Sequence, residues 1–288
     1  MKTSIFTGVC TALVTPFFDN KINYPMLQVL LKRQIDAGVE AIVIAGTTGE
    51  ASTLTDKEKA DLFRISKDIV GNHCKIIAGT GSNATEHTVI LSQIAEEAGV
   101  DGLLIVAPYY NKPNNEGLCA HYRKVANSVD LPIIMYNVPT RTGVDIPISV
   151  YRELSAVKNI AGTKEAGKDI IKHARILNAC GQNFTVWAGN DEQIVASVSL
   201  GGSGVISVLS NVMPQETVAM TNAALAGDFE TAIEIQKHVL PLIDLLFADT
   251  NPIPVKHIMS CIGYDCGTCR LPLTAPNTDL INKIKAYL

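Results

Sequence analysis

Lys164 closes an apolar, strand-like run, Asn159-Ile160-Ala161-Gly162-Thr163-Lys164-Glu165-Ala166. Lysine resists burial because its ammonium loses hydration; a desolvated lysine gives up its proton more readily and becomes a nucleophilic amine. Such an amine attacks a ketone and forms a Schiff base. One structural repeat earlier, Ile133-Ile134-Met135-Tyr136-Asn137-Val138-Pro139-Thr140-Arg141-Thr142-Gly143 puts a phenol and a guanidinium on another apolar strand. The phenol of Tyr136 suits proton transfer, and the guanidinium of Arg141 suits a carboxylate. The plain alternative for Lys164 is a solvated loop lysine just past its strand.

The elements that must position these groups are legible as eight apolar, β-branched runs: Val9–Thr15, Ala41–Gly46, Lys75–Gly79, Gly102–Ala107, Pro132–Asn137, Ile160–Lys164, Phe184–Gly189 and Gly204–Val208. They are continuous rather than alternating, which marks strands buried on both faces. Their starts fall roughly 20 to 35 residues apart, the size of a βα unit. Helical periodicity fills the gaps. Thr55-x-x-Glu58 is a capping box that opens a helix with Leu62, Phe63, Ile69 and Val70 on one face. Leu118, Tyr122, Val125, Ala126 and Val129 repeat helically after the fourth run, and Ile170, Ile171, Ala174 and Leu177 after the sixth. The pattern predicts an α/β fold, a closed (β/α)8 TIM barrel over residues 1–226, with a doubly wound open sheet as the alternative. Beyond Ala226 no further strand is expected. Asp228–Phe247, Ile253–Ile262 and Asp279–Leu288 read as helices, so residues 227–288 are expected to form a small C-terminal helical domain.

Composition agrees with a buried parallel sheet. Hydrophobic residues make up 47% of the 288 and charged residues 18%, which excludes a disordered chain. A net charge of −4 without a basic block argues against nucleic acid or an anionic membrane surface as a partner. Mean hydropathy is +0.20, yet no apolar run reaches the roughly 18 residues of a membrane span. Met1 to Phe17 reads as a first strand rather than a signal peptide, and the cytoplasm is the expected compartment. Of the seven cysteines, Cys10, Cys74, Cys119 and Cys180 look like ordinary thiols of a reducing compartment. His257-x3-Cys261-x4-Cys266-x2-Cys269 has the composition of a zinc site, but its glycines and its loop context make coincidence the preferred reading, and no metal is expected.

In such barrels reacting groups sit at the carboxyl ends of the strands. The polar residues fall there: Gly46-Thr47-Thr48-Gly49-Glu50 after the second run, Gly79-Thr80-Gly81-Ser82-Asn83 after the third, Pro108-Tyr109-Tyr110-Asn111 after the fourth, Gly189-Asn190-Asp191 after the seventh, and Ile206-Ser207 on the eighth. Each group has a dull reading as a turn, a cap or a subunit contact. Their convergence on one mouth with Lys164, Tyr136 and Arg141 suits imine chemistry with proton relay and carboxylate binding. Gly79-Thr80-Gly81-Ser82-Asn83-Ala84 imitates a dinucleotide fingerprint, but its acidic partner, Asp101, precedes a strand instead of ending one.

At these residues the chain closely resembles the dihydrodipicolinate synthase family, within the N-acetylneuraminate lyase superfamily. The motifs that carry the resemblance are Gly46-Thr47-Thr48-Gly49-Glu50, Tyr136-Asn137-Val138-Pro139-x-Arg141-Thr142-Gly143, Gly162-Thr163-Lys164-Glu165-Ala166 and Asn251-Pro252-Ile253-Pro254-Val255-Lys256. The resemblance implies a lyase of lysine and diaminopimelate biosynthesis that condenses pyruvate with L-aspartate 4-semialdehyde. In it Lys164 forms the imine and Tyr136 shuttles protons through Thr48 and through Tyr110 of a neighbouring subunit. Thr47, Thr48, Gly189 and Ile206 shape the pyruvate site, and Arg141 takes the aldehyde's carboxylate. No cofactor or metal is implied. Sister enzymes that cleave N-acetylneuraminate or 2-keto-3-deoxy sugar acids are the alternative, and Arg141 speaks for the short acidic aldehyde. The resemblance also implies a homotetramer, a dimer of dimers with Tyr109 and Tyr110 at the tight contact. It further implies a lysine-effector site at Ser52, Asn83 and Tyr109. Asp56, Lys59 and His87 depart from the lysine-sensitive pattern there, so weak or absent feedback by lysine is expected.

Overall fold

Val, Ile, Leu and Ala dominate eight short segments that are buried along nearly their whole length, and in the computed structural model, which describes residues 4–288, these segments pair side by side. They are β1 (Gly8–Ala12), β2 (Ala41–Ile44), β3 (Lys75–Gly79), β4 (Gly102–Val106), β5 (Ile133–Asn137), β6 (Ile160–Glu165), β7 (Thr185–Ala188) and β8 (Gly204–Ser207). All pairings are parallel, and β1 is bonded on both sides: Cys10 to Ala12 run beside Ala41 to Val43 of β2, and Gly8 to Thr11 beside Gly204 to Ser207 of β8. The sheet is therefore a closed barrel, not an open doubly wound one. Each expected run overlaps its strand; β1 begins one residue earlier than its run, at Gly8, and β6 ends one residue later, at Glu165. The reading of Met1–Thr3 lies outside the described residues.

The helices are α1 (Tyr24–Asp36), α2 (Asp56–Val70), α3 (Thr85–Glu97), α4 (Asn115–Ala126), α5 (Pro139–Thr142), α6 (Ile148–Leu154), α7 (Ile171–Cys180), α8 (Ile194–Ser199), α9 (Pro214–Leu225), α10 (Phe229–Leu246), α11 (Ile253–Cys261) and α12 (Thr278–Tyr287). The capping box of α2 forms in both directions, Thr55 Oγ1 accepting from the Glu58 amide and Glu58 accepting from the Thr55 amide. Helix α7 corrects the sequence reading. Its buried face is Lys172, His173 and Ile176, while Ile171 is exposed and Ile170, Ala174 and Leu177 are half-buried. Apolar periodicity misplaces this face because two polar side chains turn inward, Lys172 to carboxylates and His173 Nδ1 to Ser197 Oγ at 2.8 Å. A two-stranded hairpin, Phe17–Phe18 with Lys21–Ile22, also escapes the sequence, since two-residue strands carry no periodicity.

Alternate residues of the barrel strands point inward and outward. The outward set packs on the helices as one continuous core. The inward set includes Cys10, Val43, Ile77, Leu104, Ile134, Tyr136, Trp187 and Ile206, closed off by Phe6, whose ring stacks on Trp187 at 4.8 Å. Gly162, two residues before Lys164, makes this interior possible. A Cβ there would collide with the Thr185 carbonyl and come within 2.8 Å of the Trp187 ring. After α11 the chain turns back over the barrel mouth, and the Phe17 amide donates to the Cys266 carbonyl at 3.0 Å.

Candidate active site

Strand register decides what surrounds Lys164. On β6 it stands beside Tyr136 of β5 and Trp187 of β7. Its side chain is only 4% exposed, and Nζ lies 4.6 Å from the centroid of the Tyr136 ring. Among the described residues no carboxylate forms an ion pair with it. The Asp191 carboxyl, just past β7, feels the charge of Lys164. Burial pushes the Asp191 carboxyl up, against hydrogen bonds from Ser207, Leu209 and Val208 and the charge of Lys164. One Asp191 oxygen accepts from the Val208 and Leu209 amides at 3.0 and 2.9 Å, which pins the turn after β8. The other is buried with no partner among the described residues.

Behind Lys164, on the outer face of the strands, a polar cluster fixes the ends of β5 and β6. Asn137 Nδ2 donates to Asp145 and to Glu165, both at 2.8 Å, while Asn137 Oδ1 accepts from the Ile146 amide at 3.0 Å. Glu165 also accepts from the Gly167 amide at 2.7 Å and from the Tyr151 hydroxyl at 3.2 Å. Lys172 pairs with Asp145 and lies 3.5 Å from Glu165. Burial raises the Glu165 carboxyl, and Lys172, Asn137, Gly167 and Tyr151 oppose the rise. The strand end carrying the amine is held from outside, so the amine itself needs no bond to stay in place.

The rim is set by the loop after β2. Ala45 and Glu50 both adopt left-handed backbone, φ 54° and 58°, which non-glycine residues rarely hold without surrounding constraint. The constraint comes from the far end of the chain. Glu50 is buried and accepts from Lys256 Nζ and from the Arg270 amide, each at 2.8 Å. Thr15 Oγ1 donates to the Gly49 carbonyl at 2.7 Å. Asn251 Nδ2 donates to Thr48 Oγ1 at 2.9 Å, and the Asn251 carbonyl accepts from Arg141 Nη2 at 2.8 Å. Asn251 thus ties the hydroxyl of one loop to the guanidinium of another. The sequence reading treats it only as a break between helices and a family motif.

A cleft of about 570 Å³ opens at this rim, and Thr47, Tyr136 and Arg141 are on its wall. Arg141 is exposed, with a single side-chain hydrogen bond among the described residues. Thr48, Lys164 and Ile206 are buried and lie off the wall, as does the half-buried Gly189. No hydrogen bond joins Thr48 to Tyr136 among the described residues. Ser52, Asn83 and Tyr109 line the outer part of the same cleft with Asp56, Lys59 and His87. Tyr110 is not brought to Lys164 within one chain. It stands 89% exposed on the loop after β4, with φ 72°. In the C-terminal thiol cluster, Cys261 Sγ is 3.7 Å from His257 Nε2, while Cys266 and Cys269 have thiols raised by burial to about 12 and about 11. No group of three or more His, Cys, Asp or Glu side chains converges for a metal among the described residues. Asp101 sits at the opposite end of the barrel, where Lys67 and Lys75 hold it.

This geometry can do one kind of chemistry well. A buried amine with no ion-pair partner among the described residues, set over a phenol, can add to a small ketone; an exposed guanidinium at the cleft wall can hold a second, acidic reactant. The dihydrodipicolinate synthetase family model matches residues 5–288. A 4-hydroxy-tetrahydrodipicolinate synthase of Thermoanaerobacter sp. is 44% identical over 285 residues, 99% of this chain and 96% of the relative. The dihydrodipicolinate synthase of Aquifex aeolicus superposes with a TM-score of 0.97 at 41% identity, over 98% of this chain and 97% of that one. A structure described as the first monomeric dihydrodipicolinate synthase variant superposes with a TM-score of 0.96 at 37% identity, over 98% and 95% of the two chains.

Proposed function

The chain belongs to the dihydrodipicolinate synthetase family, and from that premise we propose that it is a 4-hydroxy-tetrahydrodipicolinate synthase acting through an imine on Lys164. The observation that carries the assignment is a lysine that is 4% exposed, has no ion pair among the described residues, and lies 4.6 Å from the centroid of a tyrosine ring. The Lys164 amine adds to the carbonyl carbon of pyruvate and water leaves, giving an iminium. Loss of a proton from the pyruvate methyl gives the enamine, with the iminium nitrogen as electron sink. The enamine carbon attacks the aldehyde of L-aspartate 4-semialdehyde, and the resulting alkoxide takes a proton. The amino group of the adduct then attacks the imine carbon and expels the Lys164 amine with the cyclic product. This sequence balances without metal or organic cofactor.

Tyr136 moves the protons. Thr48, whose oxygen already accepts from Asn251, has its own proton free to donate to the phenol. Thr47, Gly189 and Ile206 shape the pyruvate site. Arg141 receives the carboxylate of the aldehyde, which is why this reading is preferred to a sugar-acid lyase, whose polyol substrate calls for hydroxyl-rich walls. Residues 227–288 act as a helical domain that braces the rim.

The relay is completed by Tyr110 of a neighbouring copy in a cytoplasmic homotetramer. The supporting observation is a phenol held out in solvent on left-handed backbone. Borohydride trapping with pyruvate, followed by peptide mass mapping, tests the core of the assignment: a pyruvate-derived mass on the Lys164 peptide is expected, and an adduct elsewhere refutes it. Assembly is tested by mixing Tyr110→Phe with Lys164→Ala. Hybrid dimers would carry one site with both residues intact, so activity above either parent is expected; no recovery speaks against a shared site.

A further inference from the structure

An amino-acid aldehyde presents two polar groups on one carbon, a carboxylate and an amine. Arg141 takes the carboxylate in the proposed reaction, which leaves the amine without a receptor. Because the two groups share a carbon, the acceptor for the amine must stand beside that guanidinium. It must also not be a carboxylate. The amine has to attack the imine carbon, and a carboxylate neighbour would hold it as an ammonium with no lone pair to give. Among the described residues two carboxylates are on the cleft wall, and both are engaged elsewhere: Glu50 with Lys256 and the Arg270 amide, Asp56 with His87.

Asn251 meets both requirements. It is on the same wall, 7% exposed, and its backbone carbonyl accepts from Arg141 Nη2 at 2.8 Å. Its Nδ2 is committed to Thr48 Oγ1. Its Oδ1 is buried with no hydrogen-bond partner among the described residues, a costly state for an amide oxygen unless a guest supplies the donor. We propose that Asn251 Oδ1 is the acceptor for the amino group of the second reactant, and so selects an α-amino aldehyde over one that carries the carboxylate alone. The inference rests on the reading of Arg141 as the carboxylate's receptor. A neutral oxygen takes one N–H and leaves the nitrogen lone pair available. On ring closure the new C–N bond forms at the imine carbon, the bond from that carbon to the Lys164 nitrogen breaks, and the proton shed by the amine goes to the departing lysine.

The test is calorimetric titration of the purified full-length protein with two probes, L-homoserine and 4-hydroxybutyrate. Both carry a hydroxyl in place of the aldehyde oxygen, so neither condenses, and they differ only in the amino group. The parent protein is expected to bind L-homoserine about ten-fold more tightly, and Asn251→Ala to lose that preference while keeping its affinity for 4-hydroxybutyrate. Arg141→Met should weaken both probes. Circular dichroism verifies folding, with Asn251→Ser as the substitute where the Ala variant does not fold. A parent that shows no preference, or binds neither probe, overturns the proposal. So does an Asn251→Ala protein in which both probes weaken in proportion, since that is the signature of a residue that merely supports Arg141. Borohydride trapping of pyruvate on the parent separates this inference from the enzymatic reading: a lost homoserine preference without a Lys164 adduct sinks the enzyme and keeps the amine receptor, and an adduct with the preference intact in Asn251→Ala does the reverse.

Discussion

Two buried lysines frame the barrel mouth and do opposite work. Lys256, 2% exposed, gives its protons to Glu50 and to the carbonyls of Thr15 and Thr268, and lies 4.3 Å from the Phe17 ring. Lys164, 4% exposed, has a phenol ring beside it and no acceptor among the described residues. Burial alone therefore does not make a lysine reactive. An ammonium saturated by a carboxylate and two carbonyls has no lone pair to offer, and its energy goes into holding two chain segments together. An amine that is buried and has no acceptor keeps its nitrogen available to add to a carbonyl. The difference lies in what the surrounding strands and loops supply, not in the residue.

Exchanging the fates of the two lysines should break this contrast most visibly. Lys164→Ala is expected to lower kcat by roughly 10⁴-fold or more and to abolish the pyruvate adduct while leaving the thermal midpoint nearly unchanged. Lys256→Met is expected to do the reverse, leaving a trappable Lys164 while costing about 3–5 kcal/mol in urea unfolding, because Glu50 stays buried without its cation. Adding Glu50→Gln should recover part of that loss. A stability effect from Lys164 as large as that from Lys256 would erase the distinction.

Tyr136→Phe keeps the ring beside Lys164 and deletes its hydroxyl, so kcat should fall by roughly 10²–10⁴-fold, read in steady-state kinetics, with the adduct still forming slowly under borohydride. Asn251→Ala sharpens the comparison at the rim. It frees the Thr48 hydroxyl from its donor and is expected to lower kcat by on the order of ten-fold with little change in unfolding. An effect only on stability would place Asn251 with Lys256 instead.

The smallest expected effect is in acid. Arg270, at 2.6 and 2.9 Å, holds the Glu58 carboxyl down to about 2 from the ordinary 4.5. A carboxyl lowered in the folded chain stabilises fully above the unfolded value and loses that contribution as pH falls from 4.5 toward 2. Glu165 and Asp191 are raised and act with the opposite sign, binding protons first in the folded chain, so their share of stability grows on the way down to the unfolded value. Urea midpoints followed from pH 5 to 2 should therefore fall less steeply in Glu58→Gln than in the parent.

The barrel was readable because every strand is buried on both faces and so appears as an uninterrupted apolar run. The same logic failed on α7, where Lys172 and His173 replace apolar residues on the buried face and push the apparent stripe a quarter-turn away. At the mouth, Lys164, Tyr136 and Arg141 announce themselves as polar interruptions of apolar strands. Asn251, Asp191 and Glu165 could not be weighed in the same way. Their importance comes from partners that only the closed fold supplies, such as Thr48 for Asn251 and the Val208 and Leu209 amides for Asp191. Tyr110 belongs to a third kind, an exposed aromatic on left-handed backbone whose proposed role rests on the proposed assembly.

The bonds that shape the rim span 203 residues from Asn251 to Thr48, 206 from Lys256 to Glu50 and 220 from Arg270 to Glu50. During synthesis the strands of the barrel leave the ribosome well before these partners do. A nascent chain that has just completed its eighth strand can close its sheet and bury its amine, yet its left-handed turn at Ala45 and Glu50 still lacks every distant anchor. Competence at the mouth is thus a late event, timed by the arrival of Arg270, and slow or stalled translation past the eighth strand should accumulate a barrel that is closed but not yet able to seat its substrate.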